Sequence, residues 1–222
     1  MPLEKPPLQA GSLAGLPKRR LSGTRLFRVW RYALADGSTR PDPWWFASAD
    51  VDSSTGGRFD LPAPMGTCYL ASRPEAAVLE ALQMHLTNLP RSELAIRRLA
   101  VLTAPPDAPA AAMLTARRVA GEFGITAELW AGRDRALSRA WAAALRRDGW
   151  WAVYGGISHD PSGQLRSVAL FDTAGSHPPS HGGHWKSLSR RIDRDAALER
   201  GLARFGVEVR DPGQLPWANP VH

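Results

Sequence analysis

The stretch Gly66-Thr67-Cys68-Tyr69-Leu70-Ala71-Ser72-Arg73-Pro74-Glu75-Ala76-Ala77-Val78-Leu79-Glu80 changes character halfway along. Residues 67–71 are short and apolar and read as a strand. They run directly into Ser72-Arg73-Pro74-Glu75, where Ser72 or Arg73 precedes a helix and Pro74 sits in its first turn, the place where a missing N–H is tolerated. Ala77, Leu79, Leu82 and Leu86 supply an apolar face and predict a helix over 74–88. Upstream, residues 26–32 alternate apolar with basic side chains as a strand does, and the turn-rich 35–43 ends it. Residues 41–59 mix Pro, Gly, Ser, Asp and aromatics with no sustained period, which predicts a long loop folded onto the body. Downstream, 94–102 reads as a strand stopped by Pro105, Pro106 and Pro109, and 110–123 as a helix ending at Gly124. Residues 125–130 read as a strand, and 133–147 as an amphipathic helix carrying Leu137, Trp141 and Leu145 and closed by Gly149. Residues 150–154 and 167–171 are strands, 195–205 a helix and 207–210 an edge strand. Several consecutive strands lack the helix that a parallel crossover requires. The expected class is therefore α+β, with mixed, mostly antiparallel sheets and flanking helices.

The chain has 222 residues, 44% of them hydrophobic and 22% charged, which suits one domain with extensions better than two small domains. The single cysteine, Cys68, excludes a disulfide framework and a Cys-rich zinc site. No apolar run approaches the ~20 residues of a membrane span, and the first 20 residues carry no continuous apolar stretch of the secretory kind. A cytoplasmic protein with no membrane partner is expected.

The formal charge of +7 invites a nucleic-acid reading, but it is concentrated at the two ends of the chain, with +4 in residues 1–25 and +3 in residues 186–210. The central body is neutral, and no basic helix or basic–aromatic run follows, so nucleic acid is not expected as the primary partner. Residues 1–25, with four prolines among Gly and Ser, read as a flexible basic leader. Residues 173–185 read as a linker. Nothing in the pattern fixes an oligomeric state.

Known catalytic signatures are absent: there is no Walker loop, GxGxxG, GxSxG or HExxH. His177, His181 and His184 have no Cys or carboxylate partners nearby in sequence, so no metal site is expected. Cys68 lies mid-strand among apolar neighbours, where a thiol is usually inert. The nine tryptophans are most simply core or loop anchors.

One set of segments carries more. Gly56-Gly57-Arg58-Phe59-Asp60-Leu61-Pro62, then Gly66-Thr67-Cys68-Tyr69-Leu70-Ala71, then Ala76-Ala77-Val78-Leu79-Glu80, resemble the RES domain family. Leu26-Phe27-Arg28-Val29 is similar to that family's first strand. Ile125-Thr126-Ala127-Glu128-Leu129, Ala140-Trp141-Ala142-Ala143-Ala144-Leu145, His159-Asp160-Pro161 and Val168-Ala169-Leu170-Phe171 are similar to its second half. On this resemblance residues 26–175 form a RES-like catalytic domain, and residues 176–222 form a linker with a C-terminal helix and strand.

The resemblance implies a fold similar to ADP-ribosyltransferases and an NAD+-degrading enzyme that works by hydrolysis or phosphorolysis. It further implies the toxin of a toxin–antitoxin pair, with a helix-turn-helix antitoxin as partner. NAD+ is then the substrate, inorganic phosphate a possible co-substrate, and no separate cofactor is required. ADP-ribosyl transfer to a macromolecule, or a silent NAD+-binding module, are the competing readings. Carried over onto this sequence, the site residues are Arg28, Arg58, Tyr69 and Glu80, with Glu80, Arg58 and Ser158 catalytic and Arg28, Arg58 and Tyr69 substrate-binding. The family's serine falls near Tyr154-Gly155-Gly156-Ile157-Ser158, with Ser158 as the stand-in and Ser167 as a second candidate. These residue types suit the chemistry. A carboxylate stabilises the oxocarbenium-like state of glycosidic cleavage, and arginine matches diphosphate oxygens bidentately. A tyrosine either packs on nicotinamide or hydrogen-bonds the ribose.

Overall fold

The computed structural model describes residues 2–82, 87–158, 160 and 162–211. In chain order its elements are β1 (Lys18–Arg19), β2 (Arg25–Arg31), β3 (Met65–Ala71), α1 (Pro74–Ala81), β4 (Asn88–Pro90), α2 (Arg91–Ala95), β5 (Arg97–Thr103) and β6 (Ala111–Met113), then α3 (Val119–Phe123), α4 (Glu128–Ala131), α5 (Arg135–Arg147), β7 (Ala152–Gly156), β8 (Arg166–Thr173), β9 (Lys186–Arg191), α6 (Ala196–Ala203) and β10 (Glu208–Arg210). Eight strands form one sheet in the order β1-β6-β7-β8-β3-β2-β5-β9, and β4 pairs with β10 apart from it. Within the large sheet only β6–β7 is parallel. The α+β, mostly antiparallel class read from the sequence is the class observed.

Strand alternation sorts the core. Val153, Ala169 and Phe171 face α5 and its Trp141 and Leu145, while Val29, Ala71 and Leu99 face α1 and α6. The opposite pleat positions, among them Leu26, Cys68, Leu70 and Leu170, lie under Trp44, Phe46, Trp151 and Trp185. The loop over residues 41–59 thus folds onto the sheet as expected. It is held at Ala47, which bridges Thr67 of β3, and at Phe46, which bridges Gly175. β3 is paired with β8 along its whole length, whereas β2 and β3 share the single register pair Phe27–Ala71. The sheet is therefore split between β2 and β3, next to the start of α1.

Several expectations are corrected. The leader is laid on the body: Leu3, Leu13, Leu16 and Leu21 are buried and β1 joins the sheet beside β6. The Trp141 and Trp150 indoles donate to the Glu4 and Leu13 carbonyls at 2.8 and 3.0 Å. Apolar residues among the prolines give this segment a packed face that its composition conceals. Helix α1 stops at Ala81, and residues 83–86, with Leu86 of the expected apolar face, lie outside the described residues. The alanine-rich start of 110–123 is strand β6, and only α3 is helical, capped as read by Gly124 at φ 67°. Residues expected to form a strand at 125–130 end in the short helix α4. β9, exposed throughout and polar but for Leu188, is an edge strand that follows the expected linker. Among the described residues no helix is long and apolar enough to cross a membrane.

Candidate active site

The opening between β2 and β3 is a cavity of about 250 Å³. β2 brings Arg28, the 56–60 turn brings Arg58, β3 brings Tyr69 and α1 brings Glu80, so four residues separated in sequence meet on one surface. Glu80 reaches it because it follows the buried Ala76 and Ala77 by one helical turn, at the edge of the face that α1 presents to the sheet. Phe27, Val29, Phe59, Leu70 and Trp130 supply apolar walls.

Burial is the main influence on the Glu80 carboxyl and raises its pKa from 4.5 to about 7, while Arg58 and the main-chain N–H of Ser158 pull it back down. Arg58 is itself half-buried. Its Nη1 donates to the Gly132 carbonyl, and its buried Nε has no partner among the described residues. Arg28 spends its donors across the split, with Nη1 on the Tyr69 carbonyl at 3.2 Å and against Cys68 Sγ, and Nη2 on the Trp45 carbonyl at 3.2 Å. It joins what the missing ladder leaves apart.

The Tyr69 hydroxyl is committed on both sides. It donates to Asp60 Oδ1 at 2.7 Å and accepts from the Phe59 N–H at 2.9 Å. Burial, and then the Asp60 charge, push its pKa well above the usual phenol value, so it remains a donor. Asp60, a possible ion-pair partner for Arg58 on sequence proximity, accepts from the Gly57 N–H at 2.6 Å with its other oxygen. A Cβ on Gly57 would stand 2.2 Å from the Tyr69 hydroxyl, so only glycine allows this approach.

Ser158 does not line the cavity. It touches Glu80 through its main chain and lines a neighbouring depression that shares Trp130 and Gly156 with the cavity, and its buried hydroxyl has no partner among the described residues. Ser167 does line it, and donates to the Gly156 carbonyl at 2.9 Å. His159 and Pro161, part of the sequence resemblance, lie outside the described residues. His177 stacks on Phe46 with ring centroids 4.8 Å apart, and no His/Cys/Asp/Glu group suited to a metal occurs among the described residues.

Two contributors escaped sequence reasoning. The Trp130 indole lies against Gly156, where a Cβ would come within 2.3 Å of it. Arg139 of α5 is fully buried and, among the described residues, pairs with no carboxylate; its guanidinium donates to the carbonyls of Asp50, Val51, Ser53, Thr55 and Gly57 and gathers the loop that carries Arg58. The available signal was a charged residue on the buried side of an amphipathic helix, one turn before Ala142 and two positions from Trp141.

The fold has a counterpart among solved structures. A chain of the M. tuberculosis MbcT–MbcA toxin–antitoxin complex superposes with a TM-score of 0.52 at 15% identity, covering 89% of this chain and 100% of that one. No curated protein matches the sequence. The RES domain model matches residues 28–188, from the arginine of β2 to the middle of β9. A match over most of the sequence, on a chain that brings Arg28, Arg58, Tyr69 and Glu80 to one cavity, places this protein in the RES domain family.

Proposed function

We propose that this chain binds NAD+ and breaks its nicotinamide–ribose bond, with water or inorganic phosphate as acceptor, and that it is the toxin of a pair whose antitoxin blocks the site. The observation that carries the catalytic reading is the juxtaposition of Glu80, a carboxyl with a pKa of about 7, and Arg58 in the lining of one cavity with apolar walls. Family membership supports NAD+ as the substrate. The likeness to a chain of a toxin–antitoxin complex supports the partner, for which a helix-turn-helix protein is the family expectation.

The apolar walls suit an uncharged nicotinamide. As the C1′–N bond breaks, its electron pair neutralises the pyridinium nitrogen, and positive charge moves onto the ribose. The Glu80 carboxylate stabilises that charge, and low local polarity strengthens the effect. In hydrolysis an attacking water gives its proton to Glu80, whose pKa lies near the working pH, and the product is ADP-ribose. In phosphorolysis a phosphate oxygen bonds to C1′ without that proton transfer. Tyr69, with its hydroxyl held by Asp60 and Phe59, offers its ring to the pocket and fixes the turn that aims Arg58.

The test is nicotinamide release from NAD+ by the full chain, with and without inorganic phosphate, beside Glu80→Gln. Release that disappears in the variant supports the reading, and a phosphate requirement identifies the acceptor. No release under either condition removes it.

A further inference from the structure

Beside the cavity, and sharing Gly57, Arg58, Glu80 and Ala81 with it, lies an open depression of about 440 Å³. Its remaining charged lining is Arg31 at the end of β2, Arg97 at the start of β5, Arg135 at the start of α5, and Glu93. None of these belongs to the motif that marks the family. Four arginines thus face two carboxylates, an excess of positive charge even with both acids ionised, and Glu93 is already spent on Arg97. Arg31 is exposed and, among the described residues, neither it nor Arg135 forms an ion pair, although Arg135 donates to the Gly56 carbonyl at 2.8 Å.

Like charges crowd here. Burial lowers the pKa of Arg58 and Arg135 adds to the lowering, against the pull of Glu80, while for Arg97 burial does the same and Arg31 adds to it, against the pull of Glu93. Two pairs of repelling guanidinium groups around one depression are relieved by an oxyanion ligand. Size points the same way: at about 250 Å³ the cavity falls below the ~300–1,000 Å³ of sites that enclose a drug-sized ligand, so a dinucleotide must extend beyond it. Arg28 holds the Tyr69 and Trp45 carbonyls through Nη1 and Nη2 and leaves its buried Nε without a partner among the described residues, and it does not line this depression.

The geometry points to a phosphate-binding subsite formed by Arg31, Arg97 and Arg135 beyond Arg58, continuous with the reaction cavity. Its ligand chemistry is the phosphoryl oxyanion, from the diphosphate of a bound dinucleotide or from free inorganic phosphate. It rests on the cleavage reading only in placing that phosphate next to Glu80.

The experiment is calorimetric titration of the full chain, and of Arg31→Glu and Arg135→Gln, with ADP-ribose and separately with inorganic phosphate, alongside KM for NAD+ and the unliganded Tm. For Arg31→Glu the expected results are an unchanged Tm and affinity for at least one probe weakened about tenfold or more, the scale of one lost charge-assisted hydrogen bond. Weakening of ADP-ribose alone assigns the subsite to the diphosphate, and weakening of phosphate assigns it to the free ion. Equal affinities for both probes in all three proteins overturn the subsite. Phosphate-ligand binding that depends on Arg31, without nicotinamide release, keeps the subsite and removes the cleavage reading. Release with KM and both affinities indifferent to Arg31→Glu does the reverse.

Discussion

Tyr69 and Asp60 are joined by a hydrogen bond of 2.7 Å that ties strand β3 to the turn carrying Arg58. Tyr69→Phe leaves an Asp60 oxygen and the Phe59 N–H without this partner, at a cost of about 1–3 kcal/mol for unsatisfied groups. A Tm lowered accordingly is expected, together with a kcat/KM for nicotinamide release reduced through misplacement of Arg58. An unchanged kcat/KM would show that Arg58 is held by Gly132 alone.

Gly57→Ala tests the same turn from the other side. The new methyl would have to fit 2.2 Å from the Tyr69 hydroxyl and 2.8 Å from Asp60 Oδ1. Overpacking of this kind costs about 1–3 kcal/mol. Thermal unfolding should show that loss, and activity should fall with it, whereas Gly121→Ala, inside helix α3 with open space at its Cβ, should raise stability by up to about 1 kcal/mol and leave activity as it is.

The Glu80 carboxyl gives a signed pH dependence. The proposed cleavage uses Glu80 as the carboxylate, so kcat/KM should fall as pH drops through about 7. Arg58→Ala removes an influence that lowers this pKa, and any residual activity should show the acidic limb at higher pH. Stability runs the opposite way. With a folded pKa above its unfolded value, Glu80 favours the native state at low pH and loses that contribution as pH rises from 4.5 to about 7. Glu80→Gln should therefore be more stable than the parent above pH 7, by at most about 3 kcal/mol, and no more stable below pH 4. Paired denaturant titrations at pH 4 and pH 8 measure the difference.

Arg139 holds loop carbonyls from Asp50 to Gly57 and, among the described residues, has no carboxylate of its own. A lysine has three donors on a single nitrogen and cannot span them. Arg139→Lys should open the 50–57 loop to proteolysis while α5 and the sheet stay protected, and nicotinamide release should drop. Cleavage distributed over the whole chain would mean instead that Arg139 holds up the core.

Leu13 is 1% exposed against Trp150 and the α5 side of the sheet. Leu13→Ala should cost about 2–5 kcal/mol, as core truncations do. A freely moving leader would give no change in Tm.

What could be read in the sequence followed from local signals that packing did not override. The β3–α1 run announced itself through a period change and Pro74, and α5 through its apolar stripe and the closing Gly149; the structure adds Asp134, whose side chain caps the Leu137 N–H at 2.8 Å. Ala110-Ala111-Ala112 has high helix propensity, yet it lies between β1 and β7, and sheet pairing decides its state. β9 was hidden because an edge strand exposed throughout has almost no apolar alternation to read. Arg28, Arg58, Tyr69 and Glu80, which line one cavity, were singled out because the resemblance to the family marks them in order. Arg31, Arg97, Arg135 and Arg139 were not, since their roles arise only from how distant segments meet.

The split between β2 and β3 has a consequence for synthesis of the chain. The polypeptide crosses that seam repeatedly, laying down β2 on one side, β3 on the other, β5 back on the first and β7 and β8 on the second. Neither side is a continuous stretch of chain, and the cavity lacks its Gly156 and Ser167 wall until β7 and β8 have emerged from the ribosome. A nascent or prematurely terminated product that stops before β7 carries Arg28, Arg58, Tyr69 and Glu80 but has no closed pocket to place them around, so it would lack the proposed activity.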